Sequence, residues 1–316
     1  MSGMENEMND VVVIGGGAAG LGGALMLARS RRKVLVIDAG EPRNAPAQEV
    51  HGLFALDGTP PSELLERGRR DVLKYGGRVV SGEVEGVARD GDAFAVAAGG
   101  GTVRARRILV ATGLADELPD VQGLRDRWGR DVLHCPYCHG WEVRDRAIGV
   151  LATGPMALHQ AQLFRQLSDD VVLLAHAMTP SGEEAEALEA RGIRVVTGEV
   201  EAVEVAGDRL TGVRLADGTV VARDALAVAP RMVARAAFLA DLGLRPAAHP
   251  SGMGEHIPAD PTGRTEVPGV WAAGNVTDLS AQVGTSAAAG ALAGGHINAD
   301  LVAQEVGAAV AARRAG

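Results

Sequence analysis

The stretch "DVVVIGGGAAGLGGALMLARS", Asp10–Ser30, decides the fold class. It opens with the apolar run Val11 to Ile14, short and β-branched, as expected of a parallel strand buried on both faces. Glycines follow, and then a helical run from Ala18 to about Ser30. The next segment, "KVLVIDAG", reads as a second strand that ends at Asp38. The order strand, turn, helix, strand is a β-α-β unit. Its turn carries Gly15, Gly17 and Gly20 as G-x-G-x-x-G, and Asp38 follows at about the 20-residue spacing of a dinucleotide fingerprint. Each position has a physical reason. Gly15 permits a tight turn, Gly17 lets the backbone approach a pyrophosphate, and Gly20 lets helix and strand pack closely. Ala18 and Ala19 open the helix, whose N-terminus favours phosphate charge. An acid at Asp38 suits a free ribose, as in FAD or NAD, and disfavours a 2′-phosphate. A glycine-rich turn in an ordinary α/β domain is the bland alternative, and the ordered set of strand, loop, helix, strand and acid argues against it.

Working outward, a polar section containing Pro42, Pro60 and Pro61 leads into a helix from Pro61. Strands with glycine turns follow, the last of them "RILVATG", running into Ala111-Thr112-Gly113. A second β-α-β unit lies more than a hundred residues after the first: strand "AIGVLA", turn "TGP", helix "MALHQAQLFRQL", strand "DVVLLAH". Further strands are expected in "IRVVTGEVEAVEV", "LTGVRLADGTVVA" and "DALAVAP". The last section holds a strand ending at Gly274-Asn275 and an Ala/Gly-rich helix. The fold class is therefore α/β, with two Rossmann-like units. Soft boundaries fall near Leu114 and Leu244, giving segments 1–114, 115–243 and 244–316.

Composition narrows the function classes. A chain of 316 residues has room for two domains of ordinary size. Its 43 glycines are about twice the usual ~7% share, without a collagen-like period, so the excess marks tight turns and close backbone approaches. A net charge of −9 argues against a nucleic-acid binder. No stretch is long and apolar enough to span a bilayer. The start "MSGMENEMND" lacks the basic and apolar regions of a signal peptide, so a cytoplasmic location is expected.

Both cysteines of the chain lie in "LHCPYCHGWE", as Cys135 and Cys138 with His134 and His139 beside them. Zinc needs about four ligands, so a metal site would have to recruit those histidines or a distant one. A buried inert pair is opposed by the Pro-Tyr spacer among polar residues. A redox pair is the favoured reading, with no metal. Its chemistry needs a thiolate, and an unperturbed thiol titrates at about 8.5. A neighbouring imidazolium lowers that value, and a neutral imidazole can take the proton. His139 is the stronger candidate for this role and His134 the weaker.

With the glycine loop, Ala111-Thr112-Gly113, the C-x-x-C and "GVWAAGNVTD" in view, the chain resembles the low-molecular-weight thioredoxin reductase family of flavoproteins over nearly its whole length. The resemblance implies an FAD domain split in sequence, with a smaller central NAD(P)H-type domain carrying the C-x-x-C. It implies that Gly274 and Asn275 (where the family usually has Asp) meet the flavin ribityl chain, and that Gln282 and Val283 meet the ring. Cys135 is then the outer sulfur that takes the substrate, and Cys138 the inner one that passes electrons to the flavin. His51 falls where the family chain passes near the flavin; it contacts the ring or caps a loop. A homodimer is also implied by the family alone.

Two departures redirect the functional reading. The second loop is Ala152-Thr153-Gly154-Pro155-Met156-Ala157, with alanine for the first glycine. The strand after it offers neither a ribose acid nor an Arg cluster for a phosphate, only His176. Weak or absent NADPH binding is expected. The residue after the C-x-x-C is His139 where thioredoxin reductases usually have Asp. "CPYCHG" is more similar to the FAD-dependent dithiol oxidases of gliotoxin and holomycin biosynthesis, the holomycin type in particular. That similarity implies disulfide formation in a small-molecule dithiol, with O2 as acceptor and H2O2 as co-product. An NADPH-dependent reductase of thioredoxin or another disulfide is the alternative, and a non-catalytic flavin-binding redox sensor is a third.

Overall fold

The computed structural model describes residues 7–154 and 156–316. The chain begins with β1 (Met8–Ile14), α1 (Ala18–Arg29), β2 (Val34–Asp38), α2 (Pro61–Lys74), β3 (Arg78–Ser81), β4 (Val84–Asp90), β5 (Ala93–Ala98), β6 (Gly101–Val110) and β7 (Leu114–Glu117). The central part holds β8 (Val132–Leu133), α3 (Pro136–His139), β9 (Ile148–Leu151), α4 (Met156–Phe164), β10 (Val171–Leu174), α5 (Gly182–Ala190), β11 (Arg194–Val196), β12 (Val200–Ala206), β13 (Arg209–Leu215), β14 (Val220–Val221) and β15 (Ala225–Val228). The chain closes with β16 (Arg231–Ala234), β17 (Ala247–Ala248), β18 (Glu255–His256), β19 (Val270–Ala272) and α6 (Val283–Ala315).

In the first unit the strand order is β3-β2-β1-β6-β5-β4, and β19 also pairs with β6. Strands β3, β2, β1, β6 and β19 are parallel to their partners, whereas β4 and β5 complete an antiparallel meander with β6. Pleating sends alternate side chains of β1 to opposite faces. Val11 and Val13 join the core formed with α1, α2 and α6, and Val12 and Ile14 join the core formed with the meander. Burial on both faces is why the strand reads as an unbroken apolar run.

The first and last parts of the chain meet through α1 and α6. The fit is too close for side chains: a Cβ on Gly290 would lie 1.9 Å from the Ala19 carbonyl oxygen, and one on Gly294 2.7 Å from that of Gly23. On the other helix, a Cβ on Gly22 would lie 2.5 Å from the Ala287 carbonyl oxygen. Residue numbers rise together along both helices, so they run parallel, with both N-termini at one end. Gly22, Gly23, Gly290 and Gly294 serve this contact. Beyond Leu301 the helix is exposed to its end at Ala315, further than the Ala/Gly-rich segment alone suggests, on residues of high helix propensity.

The second unit repeats the plan. Its parallel sheet has the order β11-β10-β9-β15-β8, and β12, β13 and β14 form an antiparallel sheet beside it. Ile148 and Val150 pack with α4 and α5 residues such as Phe164 and Leu188. Leu151, Val172 and Leu226 pack with Val203, Val213 and Leu215 of the antiparallel sheet. Each unit is thus a three-layer ββα arrangement.

Two segment boundaries need correction. The compact units are 1–45, 60–115 and 232–316 for the first, and 46–59 with 116–231 for the second. The chain returns to the first unit at Met232, not near Leu244, because Met232, Ala234, Ala236 and Leu239 are already buried in the core beneath the meander. Residues 46–59, expected in the first segment, belong with the second unit, where a Cβ on Gly129 would lie 2.5 Å from Pro46.

The helix contact makes a sharp stability forecast. Gly290→Ala should destabilise the fold by ~1–3 kcal/mol, as overpacking does. Gly307→Ala, at an open position of the same helix, should stabilise by about 0.5–1 kcal/mol, because alanine has less chain entropy to lose. Denaturant unfolding of the two variants checks both signs.

Candidate active site

The glycine loop has the geometry its spacing implies. Gly15 sits at φ +103°, and a Cβ there would lie 2.4 Å from the Ala111 carbonyl oxygen. A Cβ on Gly20 would meet the Gly15 oxygen at 1.9 Å, whereas above Gly17 the space is open. Gly17 is the N-cap of α1, no side chain caps the helix, and no acid lies in its first turn. Its leading N–H groups and dipole therefore face an open approach, the arrangement that attracts a phosphate. Gly274, at φ +87°, comes from the end of β19, and a Cβ there would lie 2.7 Å from Ala19 Cβ. A Cβ on Gly113 would lie 2.9 Å from Asn275 Oδ1. Thr112 donates its hydroxyl to the Arg235 carbonyl at 2.6 Å. Gln282 is the N-cap of α6 and Val283 its first residue, and Ser286 one turn on lies 3.6 Å from the same Gly274 position. Ala18, Ala19, Ala111, Thr112, Gly113, Gly274 and Asn275, dispersed in sequence, thus gather beside the glycine turn, and Gln282 and Val283 open α6 one turn before Ser286.

Asp38 is more occupied than its motif suggests. Its Oδ1 accepts the N–H groups of Gly16 (3.1 Å) and Gly40 (3.2 Å), and its Oδ2 accepts Arg69 Nη2 at 2.9 Å. A carboxylate offers about four acceptor positions, so room remains for a ribose hydroxyl alongside Arg69. The spacing along the chain gave no sign of Arg69, which reaches Asp38 from α2.

The second loop is built differently. Gly15 N donates to Ile37 at 2.8 Å and Ala152 N to Leu174 at 2.9 Å, so the two positions correspond. Ala152 nevertheless does not take the left-handed conformation of Gly15. Thr153 N instead folds back on the Leu151 carbonyl at 3.0 Å, and its hydroxyl bonds Ala229 O at 2.8 Å. At the tip of β10, His176 accepts the Val200 N–H on Nδ1 at 3.0 Å, which ties it to the start of β12. Pro155 lies outside the described residues.

The cysteines stand at the carboxyl edge of the same parallel sheet, where open α/β sheets hold their ligands. Strand β8 pairs with β15 through Leu226↔Val132 and Ala227↔Leu133 and delivers His134 and Cys135 just past that edge. Cys135 and Cys138 are disulfide-bonded and partly exposed. Cys135 caps the single turn α3, its Sγ accepting the Cys138 N–H at 3.1 Å. Gln160 of α4 donates to the His134 carbonyl at 2.6 Å and anchors the turn from behind. Gly140 is required there, since a Cβ would lie 2.2 Å from the Pro136 carbonyl oxygen. Tyr137 and Trp141 are exposed, and the Arg144 guanidinium covers the Trp141 ring at 4.1 Å.

His139 ends α3 with its Nε2 buried and without a hydrogen-bond partner. Burial lowers its pKa below the ordinary 6.5; the Glu142 carboxylate raises it and His51 lowers it further. The imidazole next to Cys138 is therefore held neutral near pH 7, in the state that can accept a proton. His51 lies in the second unit with these residues. Its ring is 3.5 Å from Glu142, 3.4 Å from Glu49 and 3.5 Å from Asp57. These carboxylates carry no motif and escaped the sequence reading.

Residues 9–309 match the pyridine nucleotide-disulphide oxidoreductase family. The chain belongs to that family. Within it, the chain is 32% identical over 307 residues to thioredoxin reductase tcpT of Claviceps purpurea (strain 20.1), covering 93% of this chain and 94% of the relative. It is 30% identical to thioredoxin reductase sirT of Leptosphaeria maculans, covering 96% of each. The crystal structure of HlmI superposes over 100% of both chains with a TM-score of 0.92 and 48% identity. This protein is accordingly a thioredoxin reductase-like oxidoreductase of a family that typically uses FAD. Among its described residues, no helix is long and apolar enough to cross a membrane.

The lowered His139 pKa has a stability consequence. An unfolded chain takes up this proton near 6.5, whereas the folded one resists it to lower pH. The contribution is complete above the unfolded value and is lost as pH falls towards the folded value. Denaturant midpoints taken between pH 7.5 and 5.5 should fall less for His139→Gln than for the wild type.

Proposed function

We propose that the protein is an FAD-dependent dithiol oxidase that closes an intramolecular disulfide in a small-molecule, natural-product dithiol. The observation that carries the reading is the second loop: Ala152 lacks the left-handed turn of Gly15, and His176 is engaged by Val200. With NADPH binding weak or absent at such a loop, the electrons would come from the thiol substrate itself. The "CPYCHG" resemblance to the dithiol oxidases of gliotoxin and holomycin biosynthesis supports the same conclusion.

The first unit fits the cofactor. Gly15, Gly17, Ala18, Ala19 and Gly20 would hold the pyrophosphate of FAD, and Asp38 a ribose. Ala111, Thr112, Gly113, Gly274 and Asn275 would hold the central chain, and Gln282 and Val283 the ring. When bound, FAD supplies a two-electron acceptor for the reduced cysteine pair, reoxidised by O2 with release of H2O2.

The chain's own residues handle thiols and protons. A substrate S–H gives its proton to His139, and the thiolate attacks Cys135 Sγ. The Cys135–Cys138 bond breaks and its electron pair stays on Cys138. The second substrate sulfur then attacks the first at the mixed disulfide and Cys135 leaves, taking up the second thiol's proton, so that the cyclic disulfide is released and both cysteines are reduced. A neutral imidazole suits this direction better than an aspartate, whose charge would oppose the thiolates. The working assembly is a homodimer, in the cytoplasm.

Anaerobic mixing separates this activity from that of an NADPH-dependent disulfide reductase, the alternative that the thioredoxin reductase names of tcpT and sirT keep in view. A dithiol should bleach the flavin while NADPH leaves it yellow; rapid bleaching by NADPH alone would reverse the assignment. Cys138→Ser should reduce dithiol-driven bleaching to background, and undiminished bleaching would remove this cysteine from the electron path. His139→Ala should slow bleaching most at low pH, where fewer substrate thiols are ionised.

A further inference from the structure

Helix α2 carries a cation on the face it turns inward. Leu65, Gly68, Arg69 and Val72 follow the i, i+3, i+4, i+7 spacing of one helix stripe. Leu65 and Val72 are buried in the core formed with α1, and a Cβ on Gly68 would lie 3.0 Å from Leu21 Cδ1. Arg67 and Arg70, off the stripe, are exposed, whereas the Arg69 side chain is only 29% exposed. Its Nη2 donates to Asp38 Oδ2 at 2.9 Å, and the Asp38 side chain is 16% exposed. Its other acidic neighbour, Glu66, stands 3.8 Å from Nη1, too far for a hydrogen bond. The packing of α2 on α1 thus delivers a half-buried guanidinium to one carboxylate oxygen.

That carboxylate is built into the glycine turn. Asp38 Oδ1 accepts the Gly16 N–H at 3.1 Å and the Gly40 N–H at 3.2 Å, and a Cβ on Gly16 would lie 2.6 Å from Oδ2. With Oδ1 held by two backbone groups and Oδ2 by Arg69, one acceptor position of about four remains. The terminal torsion of an aspartate is broad and roughly two-fold. Once Arg69 is removed, the carboxylate can turn and share both oxygens among the two N–H groups, which takes that last position away from a ligand.

We propose that Arg69 is a positioning residue for the cofactor: by holding Asp38 Oδ2 it keeps the carboxylate turned to accept a ribose hydroxyl of FAD. The proposal rests on the FAD reading and goes beyond it in placing an α2 residue, outside the dinucleotide fingerprint, in command of how firmly the cofactor is retained. No bond forms or breaks and no electron moves in this role; Arg69 acts on cofactor release and not on the thiol chemistry.

FAD release is measured from the holoenzyme as the rise in flavin fluorescence after dilution. The proteins compared are the wild type, Arg69→Met, Arg69→Lys, Asp38→Ala and the double variant Asp38→Ala/Arg69→Met, each at low and high salt. Circular dichroism controls for folding, and Arg69→Gln and Asp38→Asn replace any variant that folds poorly. Arg69→Met should release FAD about 3- to 10-fold faster, the size of one ordinary hydrogen bond. Arg69→Lys, a cation without the planar fork, should fall between Arg69→Met and the wild type. The effect should persist at high salt, because it comes from orientation. In the Asp38→Ala background Arg69→Met should change the rate by less than about twofold, since nothing is left to position. An Arg69→Met effect of equal size in that background, or one that vanishes at high salt, would mean that Arg69 attracts the phosphates directly, and would overturn the proposal. A wild type that holds FAD while Arg69→Met releases it at the same rate overturns the proposal alone. A wild type that purifies without FAD and does not take it up overturns the cofactor reading and this proposal with it.

Discussion

The backbone contact between α1 and α6 is the constraint on which the first unit depends. Ala19 and Gly23 on one helix meet Gly290 and Gly294 on the other at distances that leave no room for a Cβ on either glycine of α6. The contact joins segments separated by more than 200 residues of chain. It also sets β19 beside β6, through Val270↔Ile108 and Ala272↔Val110, so that Gly274 emerges next to the start of α1. Because the helices run parallel, two N-termini share the end of the unit where the glycine turn lies. Small residues therefore do two jobs with one geometry: they close the split unit, and they place two helix dipoles where an anionic cofactor would enter.

The second unit has the same layered plan and a different use. Its parallel sheet presents two loops at the carboxyl edge, one after β9 and one after β8. In the first unit the loop after the first strand turns through Gly15 and leaves open space above Gly17 at the N-terminus of α1. In the second, an alanine stands at the turning position and a histidine at the strand tip is tied to the backbone. The loop after β8 instead carries the disulfide and an imidazole that burial keeps neutral. One scaffold is thus specialised twice, by the residues at the ends of its strands.

The first β-α-β unit was legible because a strand buried on both faces, a turn needing Gly15 and a helix needing Gly20 each leave a local mark. The same holds for α2, with proline at its start, and for the C-x-x-C. The allegiance of 46–59 was not legible, because nothing in that polar segment says which core it packs against. The return to the first unit at Met232 was hidden for a related reason: Met232, Ala234 and Ala236 are small or ordinary apolar residues whose burial depends on the meander above them. Arg69, Glu49, Asp57 and Glu142 were invisible as site residues, since surface carboxylates and guanidinium groups are common and only their neighbours give them meaning.

By itself the sequence determined the elements and their local chemistry: two α/β units, a glycine turn followed by a strand ending in Asp38, a cysteine pair followed by His139, and a second turn lacking its glycine. These follow from local rules of backbone sterics, strand burial and helix termini, which act over a few residues. Tertiary structure alone decided that Arg69 shares Asp38, that burial lowers the His139 pKa, and that His51 meets Glu49, Asp57 and Glu142. Burial and electrostatics depend on distances through space between residues far apart in the chain, and a linear order of residues carries no such distances until the cores have packed.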